Sequence, residues 1–284
     1  MHDSLRLMAN HDGFPLWRPG GGGNPDPSEL GLPAELGARL LAWADALGAA
    51  LDRDDPASPL RPRAAFLREG EDGQHGFERE GHTLWRALQA ARPGVRLSYH
   101  STLLGRAVEP GEDELLDRLD DAGRVVGVLW RSASEGVTHK RAVTAFLRNG
   151  RGELFIPRRA AHKTWWPGAL DFSVGGLVLA GESFEEAFVR EAREELNLDT
   201  GALGWRAVGE FSPLTTALRC FTRVFEVTCE ITPGLNPEDF SGGEWLSPGE
   251  VRARAEAGEA VNGDLLKVMS LVYGKQARPH AFPL

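Results

Sequence analysis

Cysteine is nearly missing from this chain. Only Cys220 and Cys229 occur in 284 residues, and their surroundings match no metal-ligand spacing. Two such residues cannot staple a disulfide scaffold; they read as reduced core thiols, which suits the cytoplasm. Long apolar runs are also missing: nothing approaches the roughly 18–20 residues that a membrane-crossing helix needs. The opening MHDSLRLMANHDGF has no sustained apolar stretch, so no secretory signal and no membrane contact is expected, and the first dozen residues are expected to be disordered. Positive charge is in deficit, with 32 Lys and Arg against 41 Asp and Glu and a net charge of −9. That balance argues against a nucleic-acid partner, which would need its phosphates neutralised. An acidic protein can still bind a phosphate compound where metal ions and a few local Arg or Lys residues supply the charge. No internal repeat is visible.

What is present suffices for two domains, since 42% of the residues are apolar. Residues 17–33 are rich in Gly and Pro and read as irregular. Leu36, Leu40, Trp43, Leu47 and Leu51 mark a helix from Ala34 to about Leu51, and Phe77, Leu84, Trp85 and Leu88 mark another over 74–91. Between them, residues 52–73 read as a long loop, and 95–101 alternate like a strand. Residues 1–110 are therefore expected to form a small, mainly helical domain with no nameable chemistry. Its scattered His75, His82 and His100 read as ordinary satisfied residues.

The second domain is expected over 114–275, followed by a tail at 276–284. A strand or two near 115–130 precedes a long strand at 142–149, and Asn149-Gly150 signals a hairpin into Leu154–Arg159. Further strands fall at 205–213, 220–231 and 242–248, and helices at 249–257 and 263–273. Strands with helices on both sides make an α/β protein with a mixed sheet in an α/β/α sandwich.

The most informative stretch is Gly176 to Leu198, GLVLAGESFEEAFVREAREELNL. Ser183 and Glu186 form a capping box that starts a helix. Residues 184–196 contain good helix formers and no Gly or Pro. On that helix Glu191, Glu194 and Glu195 lie three and four residues apart, so their carboxylates share one side. Clustered carboxylates repel unless a cation sits among them, and a hard divalent ion with oxygen ligands fits. A Glu-rich helix alone is usually a solvated surface. Here a strand-like alternation of Leu170, Phe172 and Val174, then Gly175-Gly176, precedes it and gives the pattern of a loop–helix site.

This stretch resembles the Nudix box, G-x5-E-x7-R-E-U-x-E-E-x-G-U with U aliphatic, at every charged position. It departs at Asn197, where the family has Gly, and at Ala192, smaller than the usual aliphatic residue. Asn tolerates the left-handed conformation expected there best after Gly. The resemblance implies a Nudix-type sandwich and hydrolysis of a nucleoside diphosphate linked to another group, with Mg²⁺ or Mn²⁺. It also implies Glu191, Glu194 and Glu195 as metal ligands, either Glu191 or Glu195 as base, and Arg190 as the residue that orients the carboxylates. Glu182 would be a further ligand or Arg190's partner, and the Gly176 carbonyl would complete the metal shell.

Upstream, Arg158, Arg159 and Lys163 are opposite in sign to the box and are read as recognising the substrate phosphates. Trp165 and Trp166 would stack on a base or pack against the sheet, and Glu244 is a further candidate carboxylate. The partner is thus a small diphosphate-containing molecule, and a homodimer is kept open as an assembly. The segment from Ala145 to Gly176 is similar to the isopentenyl diphosphate isomerase branch of the family. Those enzymes use a Cys placed before the box, and here none precedes Cys220. Isomerase and non-catalytic ligand sensor are therefore the alternatives to a hydrolase, the sensor being disfavoured because every box carboxylate is present.

Overall fold

Trp43, Phe77, Trp85, Tyr99 and Trp130 are all buried and form the aromatic centre of the first of two units. The computed structural model describes residues 4–10, 13–51, 66–67 and 73–274. The compact units are Met1–Asp120 with Arg124–Gly136, and Asp121–Gly123 with Val137–Leu284. In the first, strands β1 (Ser4–Leu7) and β2 (Leu16–Trp17) precede helices α1 (Ala34–Ala50) and α2 (Gln74–Ala91). Strands β3 (Arg96–Ser101) and β4 (Arg106–Val108) follow, and the sheet order is β2-β1-β3-β4. Both expected helices and the strand near 95–101 are present, accompanied by three strands that the sequence did not announce. Residues 4–7, expected to be disordered, form a strand because Leu5 and Leu7 are buried beside β3. The expected loop at 52–73 lies largely outside the described residues, as does the tail at 276–284.

The hairpin of β5 (Leu115–Leu119) and β6 (Val125–Trp130) falls mostly in this unit, although its sequence read as the start of the second domain. Side chains from α2 explain the difference. Glu78, wholly buried, accepts a hydrogen bond from Trp130 Nε1 at 2.9 Å and others from the Thr102 N–H and hydroxyl. His75 Nδ1 accepts from the Val128 N–H at 3.0 Å, and His82 packs edge-on to Trp130. A buried carboxylate so enclosed is tolerated only with its partners in place, so it fixes the hairpin to α2.

The second unit is built on a mixed sheet. Its strands are β7 (Arg141–Arg148), β8 (Leu154–Arg159), β9 (Val174–Leu177), β10 (Trp205–Phe211), β11 (Phe221–Thr228) and β12 (Phe240–Leu246). The order is β10-β11-β7-β8-β12, with β9 also on β7; β11 and β7 are parallel and the other pairs antiparallel. Helices are α3 (Phe184–Leu196), a single turn α4 (Pro213–Thr216), α5 (Pro248–Glu256) and α6 (Leu265–Tyr273). Strand alternation sorts the core into two layers. Val143, Ala145, Phe155 and Phe225 face α3 through Ala187, Phe188, Ala192 and Leu196. Phe146, Ile156 and Val224 face α5 and α6 through Val251, Leu265 and Val268. The α/β/α sandwich is the expected one.

One departure positions the site. Asn149-Gly150 makes the expected hairpin, yet β7 and β8 share only the pair Arg148–Leu154 before they part. Residues 169–177 cross the opening: Arg158 bridges Leu170 on β8, and Val174 to Leu177 then pair with Ala145 to Ala142 on β7. At the crossing the buried Ser173 hydroxyl accepts from Leu147 N at 2.9 Å and donates to Phe155 O at 2.5 Å. It thereby satisfies ladder groups that the parting would orphan. The alternating 170–174 segment is therefore no continuous strand, and Gly175-Gly176 lies within β9 rather than in a turn.

Candidate active site on helix α3

Helix α3 begins at its capping box: the Glu186 N–H donates to Ser183 Oγ at 3.1 Å, and Ser183 N–H donates to Glu186 Oε2 at 2.8 Å. It ends at Asn197, whose φ of 49° is left-handed, as the sequence required of a residue in the place of Gly. Ala192 is fully buried on the face of α3 that packs into the core.

Arg190 is the centre of the polar face. Its Nε and Nη2 donate to the two oxygens of Glu182 at 2.8 and 2.9 Å. Nη1 donates to Glu191 Oε1 at 2.8 Å and Glu194 Oε2 at 3.3 Å, and Nη2 also reaches the Leu177 carbonyl at 3.0 Å. Burial pulls the guanidinium toward neutrality, but Glu182 and Glu191 outweigh it and hold its pKa above the usual arginine range. Of the two readings of Glu182, the geometry supports Arg190's partner, and the same carboxylate closes the preceding loop by accepting from the Leu179 N–H at 3.0 Å.

Glu195 sits differently. Its side chain is buried and accepts from the Gly175 N–H at 2.9 Å, while the more exposed Glu194 faces solvent. Burial raises the Glu195 pKa well above the ordinary carboxylate value, and the Glu191 carboxylate adds to the rise, with Asp171 and Asp239 contributing. Gly176 shows why β9 is glycine-rich at this point. A Cβ there would come within 2.7 Å of Glu191 Cγ and overlap the carboxylate. We expect Gly176→Ala to fold, because only the flexible end of Glu191 must move, while turnover falls at least about tenfold. A Gly176→Ala protein of parental kcat would remove the positional role of that glycine.

The basic trio lies at the end of β8 and in the loop after it, each member paired with a carboxylate. Arg158 bonds Glu259 and the Gly168 carbonyl, Arg159 bonds Asp171 at 2.6 Å, and Lys163 bonds Asp239. Arg159 and Lys163 connect to the box through those partners. Asp171 lies four residues before Gly175, and Asn236 donates its amide N–H₂ to Asp239 and its backbone N–H to the Glu195 carbonyl. Asp171, buried, also accepts from Asn262 Nδ2 at 2.7 Å; burial raises its pKa against the pull of Arg159. Asp171, Asn236, Asp239 and Asn262 were missed in the sequence. Asp171 read as the polar half of a strand alternation, and the others lie far downstream without a motif. Glu244 is half-exposed and paired with Arg254 at 2.7 Å, and Arg254 and Arg158 together hold its carboxyl below the usual range.

Among the described residues no three His, Cys, Asp or Glu side chains already form a metal cage, and Arg190 binds three of the box carboxylates, Glu182, Glu191 and Glu194. The donor chemistry nevertheless fits a hard divalent ion. All candidate ligands are carboxylate or backbone carbonyl oxygens, and the buried Glu195 faces like charge from three neighbours, which a cation would offset.

Comparison with known proteins agrees with this geometry. Residues 138–267 match the family profile described as NUDIX domain. A Nudix hydrolase of Deinococcus radiodurans is 48% identical over 165 residues, which cover 58% of this chain and 96% of that protein. The chain belongs to the Nudix hydrolase family. An uncharacterized Nudix hydrolase of a Nostoc species is 37% identical over 56% of this chain and 96% of its own length. A crystal structure of a D. radiodurans protein superposes with a TM-score of 0.55 at 48% identity, covering 56% of this chain and 99% of that one. The Nudix chain is thus an enzyme acting on pyrophosphate bonds, with the family's sandwich. Residues 3–102 match a separate profile, described as Serratia CdiI immunity protein-like.

Proposed function

We propose that the protein is a Mg²⁺- or Mn²⁺-dependent pyrophosphohydrolase that cleaves a phosphoanhydride bond of a nucleoside di- or triphosphate or of a nucleoside diphosphate derivative. The observation that carries this reading is the α3 face itself: Glu191 and Glu194 on Arg190, and Glu195 buried against the Gly175 N–H. Glu191, Glu194 and Glu195, with the Gly176 carbonyl, would hold the cation. When bound, it would neutralise phosphate oxygens and lower the pKa of water. Arg190, fixed by Glu182, keeps the carboxylates in register, and Glu191 and Glu195 are the candidates for taking the proton of the attacking water. Water adds to phosphorus as the bridging P–O bond breaks, and the leaving phosphate carries the electron pair. Arg159 and Lys163 would receive the substrate phosphates, with Arg158 supporting the same loop.

Cys220 and Cys229 are free, buried thiols, which supports a reducing cytoplasmic setting. No helix among the described residues is long and apolar enough to cross a membrane. Both cysteines follow the box in sequence, so neither occupies the position that the isomerases use.

A panel of nucleotides, nucleotide sugars, dinucleotides and prenyl diphosphates tests the proposal, with release of phosphate or pyrophosphate measured. Hydrolysis of at least one nucleotide is expected with Mg²⁺ or Mn²⁺, and none after chelation. Isopentenyl diphosphate is expected to give no allylic isomer. Catalytic formation of that isomer, seen by NMR in excess over enzyme, would overturn the hydrolase in favour of the isomerase.

A further inference from the structure

Arg141 opens β7, and strand alternation puts it on the α3 side, two residues before Val143. Arg223 stands likewise two residues before Phe225 on the neighbouring β11. Both guanidiniums reach the ring of Phe184, the first residue of α3, at 5.4 and 4.6 Å from its centroid, within cation–π range. Arg223 also bonds Glu185 at 2.6 Å, and Glu210. Arg141 grips main chain. Its Nη2 donates to the Glu182 carbonyl at 2.8 Å, while its own carbonyl accepts from the Val178 N–H at 3.1 Å. One residue thus ties both ends of the loop 178–182. That loop turns at Gly181 with a left-handed φ of 81°, and the Glu182 N–H closes it on the Leu179 carbonyl at 3.0 Å. Helix stability gives no reason for cations there, because the N-terminal end of a helix dipole is positive.

We infer that Arg141 is a positioning residue of the α3 site. Through the Glu182 carbonyl it sets the place of the Glu182 carboxylate, and through that carboxylate the pairing of Arg190. The inference rests on the cation-dependent reading above. Glu182 takes Nε and Nη2 of Arg190, so only Nη1 is left for Glu191 and Glu194. A cation therefore competes with a single arginine nitrogen for those two carboxylates. A shift of Glu182 by about 1 Å would break its two-pronged fit to the guanidinium. Arg190 would then turn more of its N–H donors to Glu191 and Glu194 and hold them against the cation. In this scheme Arg141 acts through the loop alone.

The test compares Arg141→Met, which keeps the stem against Phe184 and removes the donor, with Arg141→Lys, which keeps a donor and the charge. Mn²⁺ binding to the full-length protein is read by calorimetric titration without substrate. Arg141→Met is expected to weaken it about fivefold or more, and Arg141→Lys by no more than about twofold. On the best substrate of the parental protein, kcat should fall about tenfold in Arg141→Met while KM stays within about twofold. Both losses should shrink to within about twofold in a Glu182→Ala background, where Arg190 is already released. A merely structural residue would cost the same in either background. Parental Mn²⁺ affinity in Arg141→Met, an undiminished loss in the Glu182→Ala background, or an Arg141→Met protein that does not fold would each overturn the positioning role. If Glu182→Ala itself does not fold, the titration of the single variants decides. Mn²⁺ binding that depends on Arg141 in a protein that hydrolyses no phosphoanhydride would uphold the inference and overturn the proposed reaction instead.

Discussion

Glu195→Gln is expected to lower kcat by about a hundredfold or more and to leave the fold intact. The amide oxygen can still accept the Gly175 N–H, so the 2.9 Å bond that fixes the side chain has a replacement. What disappears is a negative charge that burial and the Glu191 carboxylate already oppose in the folded protein. Without divalent metal, the variant should therefore melt at or above the parental temperature. Adding Mn²⁺ should separate the two proteins in the opposite sense. A ligand that binds only the folded state raises the melting temperature according to its affinity, so the parental protein should gain more than the variant. Turnover at the parental rate would remove Glu195 from the chemistry. An equal Mn²⁺-induced shift in both proteins would remove it from the cation site.

Arg190→Ala should damage both stability and activity. The side chain donates to both oxygens of Glu182, to Glu191 and Glu194, and to the Leu177 carbonyl. Arg190 and Glu182 are only 19% and 13% exposed, so removing the cation leaves a largely buried carboxylate without its partner. Breaking a buried pair in this way costs about 3–5 kcal/mol. Urea unfolding should show that loss as a lower midpoint, and kcat should fall with it as Glu191 loses its anchor. Lys in its place keeps the charge but not the planar fork that fits Glu182 in two places, so Arg190→Lys should fall between. The double variant Arg190→Ala with Glu182→Ala should recover part of the stability, because the stranded charge is gone, but none of the activity. A double variant no more stable than Arg190→Ala would show that Glu182 is not what the arginine holds.

Local chemistry explains which parts of the site were legible. The boundaries of α3 follow from a capping box at Ser183 and a left-handed residue at Asn197, both set within a few residues of chain. The common side shared by Glu191, Glu194 and Glu195 follows from helical spacing alone. Strands β7 and β8 were visible from their apolar runs, and β11 from its Phe and Val residues spaced among polar ones. The first unit was less legible. Four-residue β1, two-residue β2 and three-residue β4 are too short for periodicity to register; β2 and β4 form by antiparallel pairing with the preceding strand, and β1 joins the sheet through its parallel pairing with distant β3.

The sequence by itself therefore determined the α/β sandwich, the acidic helix and the charges it carries, because each rests on periodicity or capping within a short stretch; that the sandwich is of Nudix type came from the resemblance of residues 176–198 to the family's box. Tertiary structure alone decided how those charges are used. It turned Glu182 onto Arg190 and buried Glu195 while leaving Glu194 in solvent. It also brought Asp171, Asn236, Asp239 and Asn262 from three separate segments to the basic loop. The crossing of residues 169–177 from β8 to β7 underlies much of this, since it delivers the Gly175 N–H to Glu195 and leaves Glu191 the space beside Gly176. No local pattern encodes that crossing. It depends on two strands that part after one residue pair and on a buried serine that satisfies the groups they release.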